Sequence, residues 1–158
     1  MRPEIYAAWV QLNGSIKATM DQRRYELATL AAARRLRSTY CSMAHASVLI
    51  ENFMEPDQLR AVMADHHTAG LDEVEVAVMD LADKVAADAT SVTEADAERL
   101  RALGLSDGEI LEVVAAAAAR CFFSKALDGL GVQADAKYAA LEPQLRDALT
   151  VGRPIENG

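Results

Sequence analysis

Apolar residues recur three and four positions apart along almost the whole chain, the spacing of one helix face, and β-branched runs alternating with period two are missing. Ile5, Trp9, Leu12 and Ile16 predict a first helix over about 3–18, with Pro3 suited to its first turn and Asn13-Gly14 weakening its second half. A second helix follows from near Asp21 to Arg37. A third begins at Ser38 or Thr39, whose hydroxyls suit an N-cap, and ends before Pro56. A shorter one over about 56–66 runs into the loop His66-His67-Thr68-Ala69-Gly70. Asp72 caps a helix whose apolar stripe is Val74, Ala77, Val78, Leu81 and Val85. Thr93-Glu94-Ala95-Asp96 opens a short helix closed at Gly104. Ser106 and Glu109 have capping-box spacing for a long helix to about Leu127, stopped by Gly129 and Gly131. Within it, Val113 through Ala119 is apolar on nearly every side, which predicts burial all round, in the domain centre or in a subunit interface. A last helix over about 134–149 contains Pro143, which should break or kink it. The pattern is that of an all-α, single-domain helical bundle over 1–150, with 151–158 as a loose C-terminal tail.

Composition narrows what such a bundle does. The chain has 158 residues, enough for one domain with a real core, and alanine supplies roughly a fifth of them. Twenty-four acidic against 16 basic residues leave a net charge of −8, which argues against a nucleic-acid partner, because phosphate contact needs a basic face. No uncharged apolar run reaches the ~18 residues of a membrane span, and the start carries no basic region followed by an apolar one. Two cysteines, Cys41 and Cys121, are too few for a disulfide scaffold. The expectation is a cytoplasmic protein without membrane partner in which any thiol role is chemical.

The candidate chemistry lies in Ser38-Thr39-Tyr40-Cys41-Ser42-Met43-Ala44-His45. Cys41 and His45 are four apart and share a helix face. With Ser38 as N-cap, Cys41 falls in the first turn, where free N–H groups and the helix dipole favour a thiolate, and the imidazole can take or pair with the thiol proton. The alternative is a buried, inert cysteine beside a core histidine. Zinc is disfavoured, since Cys-x3-His offers two ligands where sites need three or four, so no metal and no cofactor are expected. His66 and His67 are adjacent, so their side chains should diverge, and both read as loop residues. Glu26 is mid-helix, and its neighbours Arg23 and Leu30 leave its direction open; periodicity alone favours a solvated face with Arg23, Arg34 and Arg37.

Taken together, the run from Glu26 to His45 resembles the core motif of the alkylhydroperoxidase D-like, or carboxymuconolactone decarboxylase, superfamily. In its peroxidase members that motif is a Glu, then twelve residues later Cys-x2-Cys-x3-His. Glu26 matches the glutamate, Ser38 stands at the first cysteine, Cys41 matches the second and His45 the histidine. The phrase Tyr40-Cys41-x-x-Ala44-His45 and the segments 81–85, 92–96, 103–114 and 122–132 are similar to the peroxidase-related branch, so the likeness runs from about Ile5 to Asp135.

The resemblance implies an alkylhydroperoxidase D-like bundle assembling into homotrimers or hexamers. It implies a thiol-dependent peroxidase, an antioxidant oxidoreductase, in which Cys41 attacks a hydrogen or alkyl peroxide. His45 and Glu26 would form a proton relay, with Ser38 and Tyr40 in support. Because Ser38 cannot condense with a sulfenic acid, three outcomes stay open: an external thiol reductant resolves Cys41, Cys121 does so if the long helix passes the site, or the activity is weak. Ser38 itself is expected mainly to cap its helix. The competing readings are a carboxymuconolactone decarboxylase-like lyase working through His45 and Glu26, with Arg34, Arg35 and Arg37 as possible charge for an anionic substrate, and a non-enzymatic helical oligomer.

Overall fold

The computed structural model describes residues 2–156. Within them lie eight α-helices: α1 (Pro3–Lys17), α2 (Gln22–Arg35), α3 (Thr39–Asn52), α4 (Pro56–Asp65), α5 (Glu73–Asp88), α6 (Glu94–Ala102), α7 (Asp107–Gly129) and α8 (Pro143–Leu149). Short 3-10 turns cover Ala89–Ser91 and Ala136–Ala140, and no strand is present among the described residues beyond one parallel bridge between Ala134 and Ile155. The helix starts are chemically specified. Asp72 and Ser106 each form the reciprocal capping box with Glu75 and Glu109, Asp96 accepts the Thr93 backbone N–H at 2.7 Å, and Asp21 accepts that of Arg24 at 2.9 Å. Pro3, Pro56 and Pro143 each stand at the start of a helix, where the missing N–H costs nothing. Pro143 therefore splits the helix expected over 134–149 into a 3-10 turn and α8.

The centre of the bundle is α2. Nine consecutive residues, Tyr25 through Ala33, are buried, because α3, α5 and α7 pack around it. Its alanines let those neighbours approach closely, so this helix is enclosed on all sides. In the long helix α7, the stretch expected to be enclosed in the domain centre or in a subunit interface has Val113, Ala116, Ala117 and Ala119 buried within this chain and Ala118 exposed on it, so the domain centre is not α7. Alanine is too small and too neutral in hydropathy for its periodicity to reveal which helix is central.

The first helix forms as expected, and of its stripe Ile5, Trp9, Leu12 and Ile16 only Ile16 is buried; with Tyr6 and Val10 exposed, α1 lies as an outer cover whose main neighbour is α7. One expectation changes. The C-terminal segment is not loose where it is described. Val151 O accepts the Arg37 Nε–H at 3.1 Å, Gly152 N–H donates to Thr39 Oγ1 at 2.9 Å, and Glu156 N–H donates to Ala134 O at 2.8 Å. A sequence rich in Gly and Pro reads as a free end, yet here it is a strap across the α2–α3 connection. Residues 157 and 158 of that predicted tail, and Met1 of the predicted domain, lie outside the described residues.

Candidate active site

The turn between α2 and α3 sets the site. Arg37 adopts a left-handed conformation (φ 58°), and Ser38 N–H donates back to Ala33 O at 2.9 Å, which closes the end of α2 in the manner of a Schellman motif. The chain reverses there and lays α3 along α2. Gly152 passes over the same turn so closely that a Cβ on it would stand 1.9 Å from Arg37 O.

On α3, Ser38, Cys41, Ser42 and His45 fall at i, i+3, i+4 and i+7, one face of the helix, and all four are buried. On α2, Glu26 is 1% exposed and turned inward, contrary to the solvated face that periodicity favoured. The reason is the enclosure of α2, which leaves few of its positions a solvated side. Glu26 Oε2 lies 2.5 Å from His45 Nδ1, and its other oxygen is 3.7 Å from Lys17 Nζ on α1. Arg23, expected beside it on a solvated face, instead pairs with Glu75 and donates to Phe53 O at 2.7 Å.

The side chain that sequence reading missed is Arg120 of α7. It is 4% exposed, donates from one terminal nitrogen to Cys41 Sγ at 3.6 Å and from the other to the Tyr25 hydroxyl at 3.3 Å. Its guanidinium lies 5.8 Å from the Trp9 ring and 5.6 Å from the Phe123 ring, which stack on each other at 3.9 Å. The signal was available: an arginine closing a run of five alanines is an expensive residue on a helix that is otherwise apolar.

Electrostatics follow from this enclosure. Burial pushes the His45 imidazole down to about 4, helped by the Arg120 charge and opposed by the Glu26 hydrogen bond, so the ring is neutral at neutral pH. A neutral ring with Nδ1–H donated to Glu26 leaves Nε2 as a proton acceptor. Burial also raises the Tyr25 phenol, against the pull of Arg120. Cys41 is 1% exposed, and among the described residues Arg120 is its one side-chain hydrogen-bond partner; His45 makes no direct bond to the sulfur. Ser38 occupies the N-cap position, but its hydroxyl makes no capping bond. It is one of five buried polar side-chain atoms without a partner among the described residues, with Trp9 Nε1, Ser42 Oγ, Arg120 Nε and Ser124 Oγ. Ser38 and Ser42 share the Cys41 face, and Ser124 lies one turn from Arg120 on α7, so orphaned polar atoms collect on the helices that carry the site.

Tyr40 makes no side-chain hydrogen bond to Cys41, His45 or Glu26 among the described residues. It lines an apolar cavity of about 420 Å³ with Tyr6, Trp9, Phe122, Phe123 and Leu130, and its phenol is raised, chiefly by burial. Cys121 follows Arg120 on α7 and so projects about 100° away from the direction that leads to Cys41. Both cysteines are free, and burial raises the Cys121 thiol. His66 and His67 do not diverge. The chain turns at that point rather than continuing as helix or strand, and the rings lie 4.1 Å apart with both Nε2 atoms within 2.9 Å of Asp80 Oδ1. Asp65, His66 and His67 offer ligand-type atoms within 4.8 Å of one another, but each ring is already paired with a carboxylate, and Arg99 takes the other Asp80 oxygen at 2.8 Å. Arg34 and Arg35 stand in the last turn of α2, and Arg35 pairs with Asp83, away from Glu26.

The family model for carboxymuconolactone decarboxylases matches residues 3–84, more than half of the chain and all of the Glu26–His45 motif. The chain belongs to this family. Its fold is the alkylhydroperoxidase D-like one: a peroxidase-related protein from Ralstonia eutropha, described as an alkylhydroperoxidase AhpD core, superposes with a TM-score of 0.78 at 20% identity, covering 96% of this chain and 78% of that one. A second peroxidase-related protein, from Silicibacter sp., gives 0.80 at 18% identity over 88% and 74% of the two chains. A protein of unknown function from Agrobacterium tumefaciens, described as a candidate antioxidant defence protein AhpD, gives 0.76 at 22% identity over 84% and 91%. No match is found among curated proteins. Among the described residues of this chain, no helix is long and apolar enough to cross a membrane.

Proposed function

We propose that this member of the family is a thiol peroxidase that reduces hydrogen or alkyl hydroperoxides through Cys41, with His45 and Glu26 as its proton relay. The observation that carries the reading is the buried His45–Glu26 pair, one turn along the helix face that bears Cys41. A thiolate at Cys41 attacks the distal peroxide oxygen, which keeps its hydrogen. The S–O bond forms, the O–O bond breaks, and the electron pair leaves with the other oxygen. That oxygen takes a proton that His45 Nε2 picks up from solvent and passes on while Glu26 holds the ring by Nδ1–H, giving water or an alcohol and leaving Cys41 as sulfenic acid. A small external thiol then condenses with the sulfenic acid, releasing water, and a second thiol frees Cys41. Ser38 cannot resolve it, and Cys121 faces away.

The exposed apolar residues of α1, with Phe122 of α7, suit the homo-oligomer that the resemblance implies. One observation favours the lyase reading: Arg120 is a cation near His45 and Glu26 that can meet a substrate carboxylate. The two separate in one experiment. Peroxide consumption with a small dithiol as reductant should vanish in Cys41→Ser and drop steeply in His45→Ala. Lyase chemistry would survive Cys41→Ser and be lost in His45→Ala, and wild-type protein without peroxide consumption would rule out the peroxidase.

A further inference from the structure

The buried charges near Cys41 are not paired with each other: Glu26 is taken up by His45 and Lys17, and Arg120 is left without a carboxylate partner among the described residues. Glu26 contributes one negative charge, Arg120 and Lys17 one positive charge each, and His45 is neutral. Lys17 is half-exposed and shares its charge with water, but Arg120 is buried and pairs with no carboxylate among the described residues. A buried guanidinium without a counter-ion costs several kcal/mol, which a fold bears only when something at the site answers it. The acceptors that Arg120 reaches are the Tyr25 hydroxyl and the Cys41 sulfur, and of these only the sulfur forms an anion readily.

We infer that Arg120 is a catalytic residue of this site, the resident counter-ion of a Cys41 thiolate, and that His45 carries protons without serving as that counter-ion. The inference rests on the peroxidase reading for its purpose but not for its test. Trp9 and Phe123 hold the guanidinium against their rings, and Tyr25, which donates to Asn13 Oδ1 at 2.6 Å, fixes its other edge. The cation is thus placed before the peroxide arrives. The division of labour follows from charge. If His45 held the proton lost by the thiol, it would be an imidazolium beside a guanidinium in a buried site. With Arg120 neutralising the sulfur, that proton leaves to solvent, and the relay returns one to the departing oxygen. When the S–O bond forms, the negative charge moves from sulfur to that oxygen, and an N–H donor already within reach of the sulfur can follow it.

The test reads the thiolate directly, by its ultraviolet absorbance at neutral pH, in a Cys121→Ser background so that Cys41 is the one thiol present, with Cys41→Ser as the blank. Arg120→Gln should lose about tenfold or more of the Cys41 thiolate, the scale expected on removing an opposite charge in contact. Arg120→Lys, which keeps the charge as a single ammonium in place of the guanidinium fork, should retain more of it than Arg120→Gln. Arg120→Met serves as a second neutral variant, and circular dichroism identifies any variant that fails to fold. Thiolate lost in Arg120→Gln supports the inference even if the parent proves unable to reduce peroxide, since that result removes the peroxidase reading alone. An unchanged thiolate fraction in both neutral variants overturns it, as does a Lys variant no better than Gln.

Discussion

Two histidine–carboxylate clusters in this molecule make opposite use of the same chemistry. His45 and Glu26 meet inside the bundle, where burial and Arg120 hold the imidazole down to about 4. His67 meets Asp65 and Asp80 at the surface, where the Asp65 hydrogen bond and the Asp80 charge raise its affinity for a proton. Asp80 in turn is lowered, because hydrogen bonds from His66 and Arg99 outweigh its partial burial. The outer cluster satisfies itself: each ring has a carboxylate and Asp80 has an arginine. The inner one lies beside a buried cation and unpartnered hydroxyls. What separates a surface network from a candidate active site is therefore which polar groups the fold leaves unanswered, more than the residue types it gathers.

The largest expected contrast is in turnover. Glu26→Gln should lower peroxide reduction by about 10²–10³-fold, the usual scale for losing a positioned acid–base group, while Asp80→Asn leaves it within about twofold. Parallel steady-state assays check both. The next contrast is in stability against pH. His45 binds a proton less readily folded than unfolded, so stability falls as pH drops from 6.5 towards about 4, by an amount of order 3 kcal/mol. His67 has the opposite sign: its contribution is full below 6.5 and fades as pH rises through its raised value. Denaturation midpoints from pH 4 to 8 should show His45→Gln flattening the acid side and His67→Ala changing only the shallow neutral side.

A smaller effect tests how the inner cluster is aimed. Gly152→Ala places a methyl against Arg37 O and should cost about 1–3 kcal/mol, with a loss of activity that Asp80→Asn lacks, because the strap holds the turn that directs α3. Thermal melting and the same assay read it. Smallest of all, Cys121→Ser should keep turnover within about twofold, since its thiol lies off the Arg120 direction. A disulfide to Cys41 found after peroxide treatment would contradict that.

Much of this was legible before the fold. The capping boxes at Asp72, Thr93 and Ser106 are local, and they started helices where the residues said they would. The Cys41–His45 spacing placed both on one face for the same reason. Glu26 was harder, because its inward turn depends on three other helices closing around α2, which no local pattern encodes. Arg120 escaped for a related cause: it lies 79 positions from Cys41, and only the packing of α7 brings them together. The strap at 151–156 misled in the other direction, since Gly and Pro do not say that an end is free, and the spacing that located α1 did not say what covers its apolar face.

The most direct test is to treat the protein with peroxide in the presence of a sulfenic-acid probe and map the adduct by mass spectrometry. The account predicts an adduct on Cys41 and none on Cys121, sharply reduced in Glu26→Gln and His45→Ala and unchanged in Asp80→Asn. No adduct on Cys41, or equal trapping when the inner pair is broken, would contradict it.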